Sequence, residues 1–215
     1  MLGKILREGL RPLAFAIILI GTIHPALAAP KTLMLYGDSL MAGLGVAPEE
    51  AFAAQLQKIL AAAGEDVTIV NASVSGDTSG AALARLDWSL ADKPDAVVLA
   101  LGGNDMLRSL PPEAMAENLR AILTRLRADD IPVLLLGMRA SPSLGQDYVT
   151  AFDAVFPTLA AEFDVPLYPF FLEGAALDPA LNQPDGIHPN AAGVKIVVAA
   201  VLPDVENLLA SVTTP

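Results

Sequence analysis

The chain has 215 residues, a formal charge of −11 and no cysteine. That acidity disfavours nucleic acid and anionic membrane surfaces as partners. The missing thiols exclude disulfides, thiol catalysis and the usual zinc–cysteine sites, and the length fits one domain with one substantial core.

The first residues have the pattern of a secretory signal peptide. Lys4, Arg7 and Arg11 give a positive start, Leu13 to Ile23 is apolar apart from Gly21 and Thr22, and Ala26-Leu27-Ala28 supplies small residues before a cut. Cleavage after Ala28 is expected, leaving a mature chain over 29–215 that is periplasmic or secreted. The alternative is a retained anchor, but the apolar stretch is far shorter than the roughly 20 residues of a spanning helix, so no stable membrane insertion is expected. Cleavage removes Lys4, Arg7, Arg11 and Glu8, a net +2, and the mature charge becomes −13. It also removes His24, which leaves His188 as the mature chain's sole histidine.

Beyond the leader, short apolar runs alternate with longer helical stretches. Thr32–Tyr36 predicts a first strand, and Glu49–Ala63 a helix stopped by Gly64. Val67–Asn71 is a second strand and Ser79–Leu90 a helix ahead of Pro94, with Trp88 expected in the core. Ala96–Leu101 is a continuous apolar strand. Pro112–Ala128 is a helix with proline and Glu113 in its first turn, where both suit a helix N-terminus. Val133–Leu136 is a buried strand. Asp147–Phe163 is helical with a kink or division expected at Pro157, Val165–Tyr168 is a short fifth strand, and Asn190–Leu202 closes as a helix. Alternating strands and helices predict an α/β fold, a three-layer α/β/α sandwich on a five-stranded parallel sheet. Continuous apolar strands fit a sheet buried on both faces. Ligands bind beyond the carboxyl ends of such strands, and Ser39, the segment after Asn71, and Gly102-Gly103-Asn104 all follow strands.

These positions hold the parts of acyl-transfer chemistry: a nucleophile, a base, a group that orients the base, and donors for a developing oxyanion. Ser39 offers a hydroxyl at a strand-to-helix turn, although a helix N-cap is the competing reading. His188 offers a base, and Asp185, three residues earlier, a carboxylate within one turn eased by Gly186. The Ser39 and Gly76 backbone N–H groups and the Asn104 amide offer donors; Gly76 could instead serve turn geometry and Asn104 its own loop. Asp38, Asp77 and Asp105 also sit near strand ends, where capping and loop bonding compete with a divalent-metal site. Met41 replaces the second glycine of a G-x-S-x-G elbow, which disfavours a standard α/β-hydrolase.

Four blocks in order, Gly37-Asp38-Ser39-Leu40, Ser75-Gly76-Asp77, Gly102-Gly103-Asn104-Asp105 and Asp185-Gly186-Ile187-His188-Pro189, resemble the SGNH or GDSL-type serine hydrolases. The stretches Asn71–Ser79 and Glu162–Leu167 are similar to the exported bacterial subfamily of acyl-CoA thioesterases, lysophospholipases and arylesterases. The resemblance implies a flavodoxin-like fold and no cofactor or metal. It also implies a triad of Ser39, His188 and Asp185, an oxyanion hole of Ser39, Gly76 and Asn104, and small-molecule or lipid ester substrates. Met106, Leu107, Leu110, Met138, Pro142 and Leu144 follow the third and fourth strands and are candidates to line an acyl or aryl pocket, with ordinary packing as the alternative. Arg108 is expected on the solvated surface. A glycan O-acetylesterase on the same fold and a noncatalytic binding protein are the rival readings.

Overall fold

The computed structural model describes residues 30–212, so the leader, its cleavage after Ala28 and His24 lie outside the described residues. Five strands form one parallel sheet in the order β2-β1-β3-β4-β5. They are β1 Lys31–Gly37, β2 Val67–Asn71, β3 Ala96–Ala100, β4 Val133–Leu136 and β5 Leu167–Tyr168. Every residue of β3 and β4 is buried, because helices cover both faces of the sheet. Helix α2 (Phe52–Ala63) packs with α7 (Ala191–Ser211) on one side, while α3 (Ser79–Ser89), α5 (Pro112–Ala128) and α6 (Gln146–Phe163) pack in series on the other. The sequence's three-layer α/β reading is the observed fold.

The topology creates the crevice. Strand β1 pairs with β2 on one side and β3 on the other, so the chain reverses its direction of winding between β1 and β3. Loops leaving the carboxyl ends of those two strands diverge, which opens a cleft there. Two one-turn helices begin at that edge, α1 (Ser39–Ala42) after β1 and α4 (Gly103–Leu107) after β3. The junction is tight: a Cβ on Gly37 would stand 2.7 Å from the carbonyl oxygen of Ala100, so no larger residue fits there without moving the sheet.

Several elements depart from the sequence reading, each for a local reason. The segment from Glu49 opens as a 3₁₀ turn over Pro48–Glu50 before α2 starts at Phe52. The fifth strand pairs only over Leu167–Tyr168. Val165 N–H is already engaged with the Ala160 carbonyl that ends α6, and Pro166 has no N–H to give. Helix α6 runs through Pro157 undivided, held by buried Phe152, Phe156, Leu159 and Phe163. Helix α7 does not stop at Leu202 but crosses Pro203 and ends at Ser211. An interior proline costs about 3 kcal/mol. Burial of Val205, Leu208 and Leu209 beyond it, at roughly 1.5–3 kcal/mol each, outweighs that cost. Trp88 is not a core residue: it is 81% exposed, on the outer face of α3. Helix periodicity assigns that face to solvent, since Ala82 and Leu86 bury the opposite one.

Candidate active site

Asp38 caps α1, its Oδ1 accepting the Leu40 N–H at 3.1 Å. The cap places Ser39 at the first position of the helix, directly after strand β1. Ser39 is largely buried, and its Oγ lies 2.8 Å from Nε2 of His188. The other ring nitrogen, Nδ1, lies 2.7 Å from Oδ2 of Asp185. Asp185 Oδ1 accepts the backbone N–H groups of Ile187 and His188 at 2.9 and 3.0 Å. The backbone N–H of His188, then that of Ile187 and then the His188 ring hold the Asp185 carboxyl down at about 2. It is therefore an ionised, acceptor-only group at neutral pH. That fixes the tautomer: Nδ1 carries the hydrogen donated to Asp185, and Nε2 is left to accept the Ser39 O–H.

The histidine loop is fastened on both sides. Gln183 N–H donates to the His188 carbonyl at 2.7 Å, and Gly186 N–H to the Gln183 carbonyl at 2.9 Å. The Gln183 side-chain amide donates to the carbonyls of Leu44 and Pro189 at 2.7 and 3.0 Å. Asn190 then caps α7 by accepting from Ala192 and Gly193 N–H. Gln183 escapes the sequence reading, because its partner Leu44 is 139 residues away and nothing local signals the contact.

Gly76 and Asn104 flank the same cleft. Gly76 sits in the loop after β2 with φ of 89°, a left-handed conformation that disfavours side-chain-bearing residues. Its carbonyl accepts from Nη2 of Arg108 at 2.8 Å, so this arginine, exposed on the surface as expected, also braces the Gly76 loop. Asn104 lies in the first turn of α4, and its Nδ2 donates to Asp38 Oδ2 at 3.2 Å.

The three aspartates at the strand ends have separate partners. Asp38 bonds Leu40 and Asn104. Asp77 pairs with Arg85 at 2.6 Å, and that arginine also donates to the Ala72 carbonyl and lies over the Tyr36 ring. Asp105 accepts from Ser79 N–H and Oγ at 2.8 and 2.6 Å. Among the described residues no group of three or more His, Cys, Asp or Glu converges as a metal site would.

Beside Ser39 opens a cavity of about 650 Å³. Ser39, Gly76, Asn104 and His188 share its wall with Leu40, Leu44, Met106, Leu107, Met138, Pro142, Phe170, Leu172, Ala176, Leu177 and Ile187. Four of the expected lining residues, Met106, Leu107, Met138 and Pro142, are on that wall, whereas Leu110 and Leu144 are not. Leu110 follows the left-handed turn at Ser109 and turns its carbonyl to the Tyr148 hydroxyl, and Leu144 closes the 3₁₀ turn over Pro142–Leu144. The wall formed by Phe170 to Leu177 is absent from the sequence reading, although it follows the fifth strand and the strand-end rule applies to it equally.

A hydroxyl that donates to an imidazole, itself held by a carboxylate, can lose its proton while attacking a carbonyl. This fold and site define a serine hydrolase of the SGNH type, and the comparisons with known proteins agree. The model of the GDSL-like Lipase/Acylhydrolase family matches residues 35–196. The chain is 44% identical over 183 residues to "Esterase TesA" of Pseudomonas aeruginosa, covering 85% of this chain and 91% of that protein. It is 44% identical over 164 residues to "Thioesterase 1/protease 1/lysophospholipase L1" of Escherichia coli, covering 76% and 77% respectively. Among solved structures, AlinE4, an SGNH-hydrolase family esterase, superposes with a TM-score of 0.72 at 42% identity, over 86% of this chain and 99% of that one. The chain belongs to the GDSL-like lipase/acylhydrolase family and is an ester-hydrolysing serine hydrolase. No described helix is long and apolar enough to cross a membrane.

Proposed function

We propose that Ser39 attacks the acyl carbonyl of carboxylic esters and thioesters, with His188 as general base and Asp185 as the group that orients it. The observation that carries this reading is the unbroken hydrogen-bonded chain from Ser39 Oγ through the His188 ring to Asp185, at 2.8 and 2.7 Å, opening onto the apolar cavity. In acylation the Ser39 proton passes to Nε2 as Oγ bonds the carbonyl carbon, and the imidazolium then returns it to the leaving alcohol or thiol. In deacylation a water gives its proton to Nε2 and attacks the acyl-enzyme, releasing the acid and restoring Ser39. The Ser39 and Gly76 N–H groups and the Asn104 amide stabilise the tetrahedral oxyanion, each worth roughly 3 kcal/mol in the transition state.

Aryl esters, acyl thioesters and lysophospholipids are the proposed substrates. A broad apolar wall supports acyl or aryl groups of differing shape, and the Escherichia coli relative bears the names of a thioesterase and a lysophospholipase. The enzyme works outside the cytoplasm after the leader is cut at Ala28; N-terminal sequencing of the exported protein tests this and should begin at Ala29.

The deciding experiment is hydrolysis of p-nitrophenyl esters from acetyl to palmitoyl, run beside Ser39→Ala. Loss of activity in the variant with an optimum beyond acetyl supports the reading. An optimum at acetyl points to an O-acetylesterase instead, and equal activity in both proteins overturns the serine mechanism.

A further inference from the structure

The Asp38 carboxylate has two well-separated jobs. Oδ1 accepts the Leu40 N–H at 3.1 Å, which is the cap of α1, and Oδ2 accepts from Asn104 Nδ2 at 3.2 Å. The residue is 3% exposed, so water does not substitute for either partner. A primary amide can be placed with its oxygen and nitrogen exchanged, and only its partners decide between the two orientations. An ionised carboxylate accepts and cannot donate, so beside Asp38 the NH₂ end of Asn104 is the end that fits. One of its hydrogens goes to Oδ2, and the second remains for the cavity that Asn104 and Ser39 share.

We propose that Asp38 is a positioning residue of the oxyanion hole: by accepting one Asn104 N–H it fixes the amide's orientation, so that the other N–H faces the acyl oxygen. This inference rests on the proposed role of Asn104. Asp38 does not touch the reacting atoms.

The isosteric variant Asp38→Asn gives a distinctive outcome. The cap on Leu40 still requires an acceptor, so the oxygen of the introduced amide occupies the Oδ1 position and its NH₂ occupies the Oδ2 position. Two NH₂ groups then face each other. Asn104 relieves this by turning over, which directs carbonyl lone pairs at the developing negative charge. A smaller cap, Asp38→Ser, keeps an acceptor for Leu40, and its shorter, freely rotating hydroxyl places no fixed NH₂ against Asn104.

The test measures kcat and KM for wild type, Asp38→Asn, Asp38→Ser, Asn104→Ala and the double variants of Asn104→Ala with each Asp38 substitution. One p-nitrophenyl ester serves throughout, with circular dichroism to establish folding. The expected result is a kcat loss of about 10²-fold or more for Asn104→Ala and for Asp38→Asn, with KM nearly unchanged. Asp38→Ser should lose less than the isosteric Asp38→Asn, the reverse of what a packing role gives. In the Asn104→Ala background, Asp38→Asn should change kcat little, because the amide it would turn is gone. An undiminished kcat in Asn104→Ala removes the oxyanion reading, and this inference with it. If Asn104→Ala loses activity while Asp38→Asn keeps it, or if Asp38→Asn costs the same factor in both backgrounds, the inference alone is overturned. Should Asp38→Asn not fold, the effect of Asp38→Ser with and without Asn104→Ala decides: equal factors overturn the proposal, and an effect confined to the protein that retains Asn104 supports it.

Discussion

The side-chain amide of Gln183 reaches the carbonyl of Leu44 at 2.7 Å, joining the loop that presents His188 to the loop that follows Ser39. Its second bond, to Pro189 at 3.0 Å, lies one residue beyond the histidine. With the backbone bond from Gln183 N–H to the His188 carbonyl, this bridge ties the histidine's loop to the segment that follows Ser39. Displacements near 1 Å cost up to about 10²-fold in rate. Gln183→Ala should therefore lower kcat by roughly 10- to 100-fold with little change in KM, as measured by steady-state kinetics. A wild-type kcat would show that the loops hold their spacing without this bridge.

Asp185→Asn separates charge from shape. An amide at 185 can accept from Nδ1 only by rearranging its contacts to the Ile187 and His188 N–H groups. Its NH₂ end otherwise faces the ring and favours the tautomer that cannot accept the Ser39 proton. The expected loss in kcat is on the order of 10³- to 10⁴-fold, with unchanged circular dichroism. A loss below tenfold would mean that another group orients His188.

The proposed positioning role of Asp38 couples activity to stability. Burial, the largest effect, pushes its carboxyl from the ordinary 3.8 up to about 6, despite the bonds from Leu40 and Asn104. A carboxyl with a raised folded-state value favours folding when protonated. Its contribution is fully present below pH 3.8 and is lost as pH rises through about 6. Two units correspond to at most about 3 kcal/mol. Wild-type Tm should carry a falling component between pH 4 and 7 that Asp38→Asn lacks, and at pH 8 the variant should be the more stable and less active protein. Parallel Tm profiles for the two proteins would contradict this.

Asp185 works in the opposite direction. Its carboxyl is held at about 2 rather than 3.8, so its stabilising effect is present above pH 4 and disappears as pH falls through 2. The group is exposed enough for solvent to screen the effect. In Asp185→Asn the loss of Tm between pH 4 and 2 should shrink slightly, as scanning calorimetry can follow. A steeper acid loss in the variant would contradict the assigned contacts.

The chain contains a single tryptophan. Because Trp88 is 81% exposed, native fluorescence should resemble that of tryptophan in water and shift little on unfolding. Trp88→Ser should alter stability by about 0.5 kcal/mol or less. A blue-shifted native emission would place the ring in a contact that the isolated chain does not provide.

Much of this architecture is legible in sequence because its signals are local. Buried parallel strands appear as uninterrupted apolar runs, as in Ala96–Ala100, and the blocks around Ser39 and Asn104 mark the ends of β1 and β3. What escapes is tertiary. Pro203 marks a helix end by local rules, yet the buried side chains beyond it carry α7 to Ser211. Trp88, a large apolar side chain on a helix, reads as core, whereas its face of α3 is turned to solvent. Gln183 and Arg108 have polar side chains whose partners, Leu44 and Gly76, lie in other loops. Asp38 reads as a local cap, and its bond to Asn104 spans 66 residues.

Strand β1, second from the edge of the sheet, closes against helix α7: Lys31 Nζ donates to the carbonyl of Leu209 at 2.7 Å. Strand β1 cannot be paired on both edges until Ala100 has been made, and Ser39 meets His188 only across 149 residues of chain. Assembly of the reactive pair is therefore a late event in the life of each molecule. Under the proposed mechanism a chain released before residue 188 lacks its base, and hydrolytic activity becomes a report that synthesis has passed His188 and that its loop has reached Ser39.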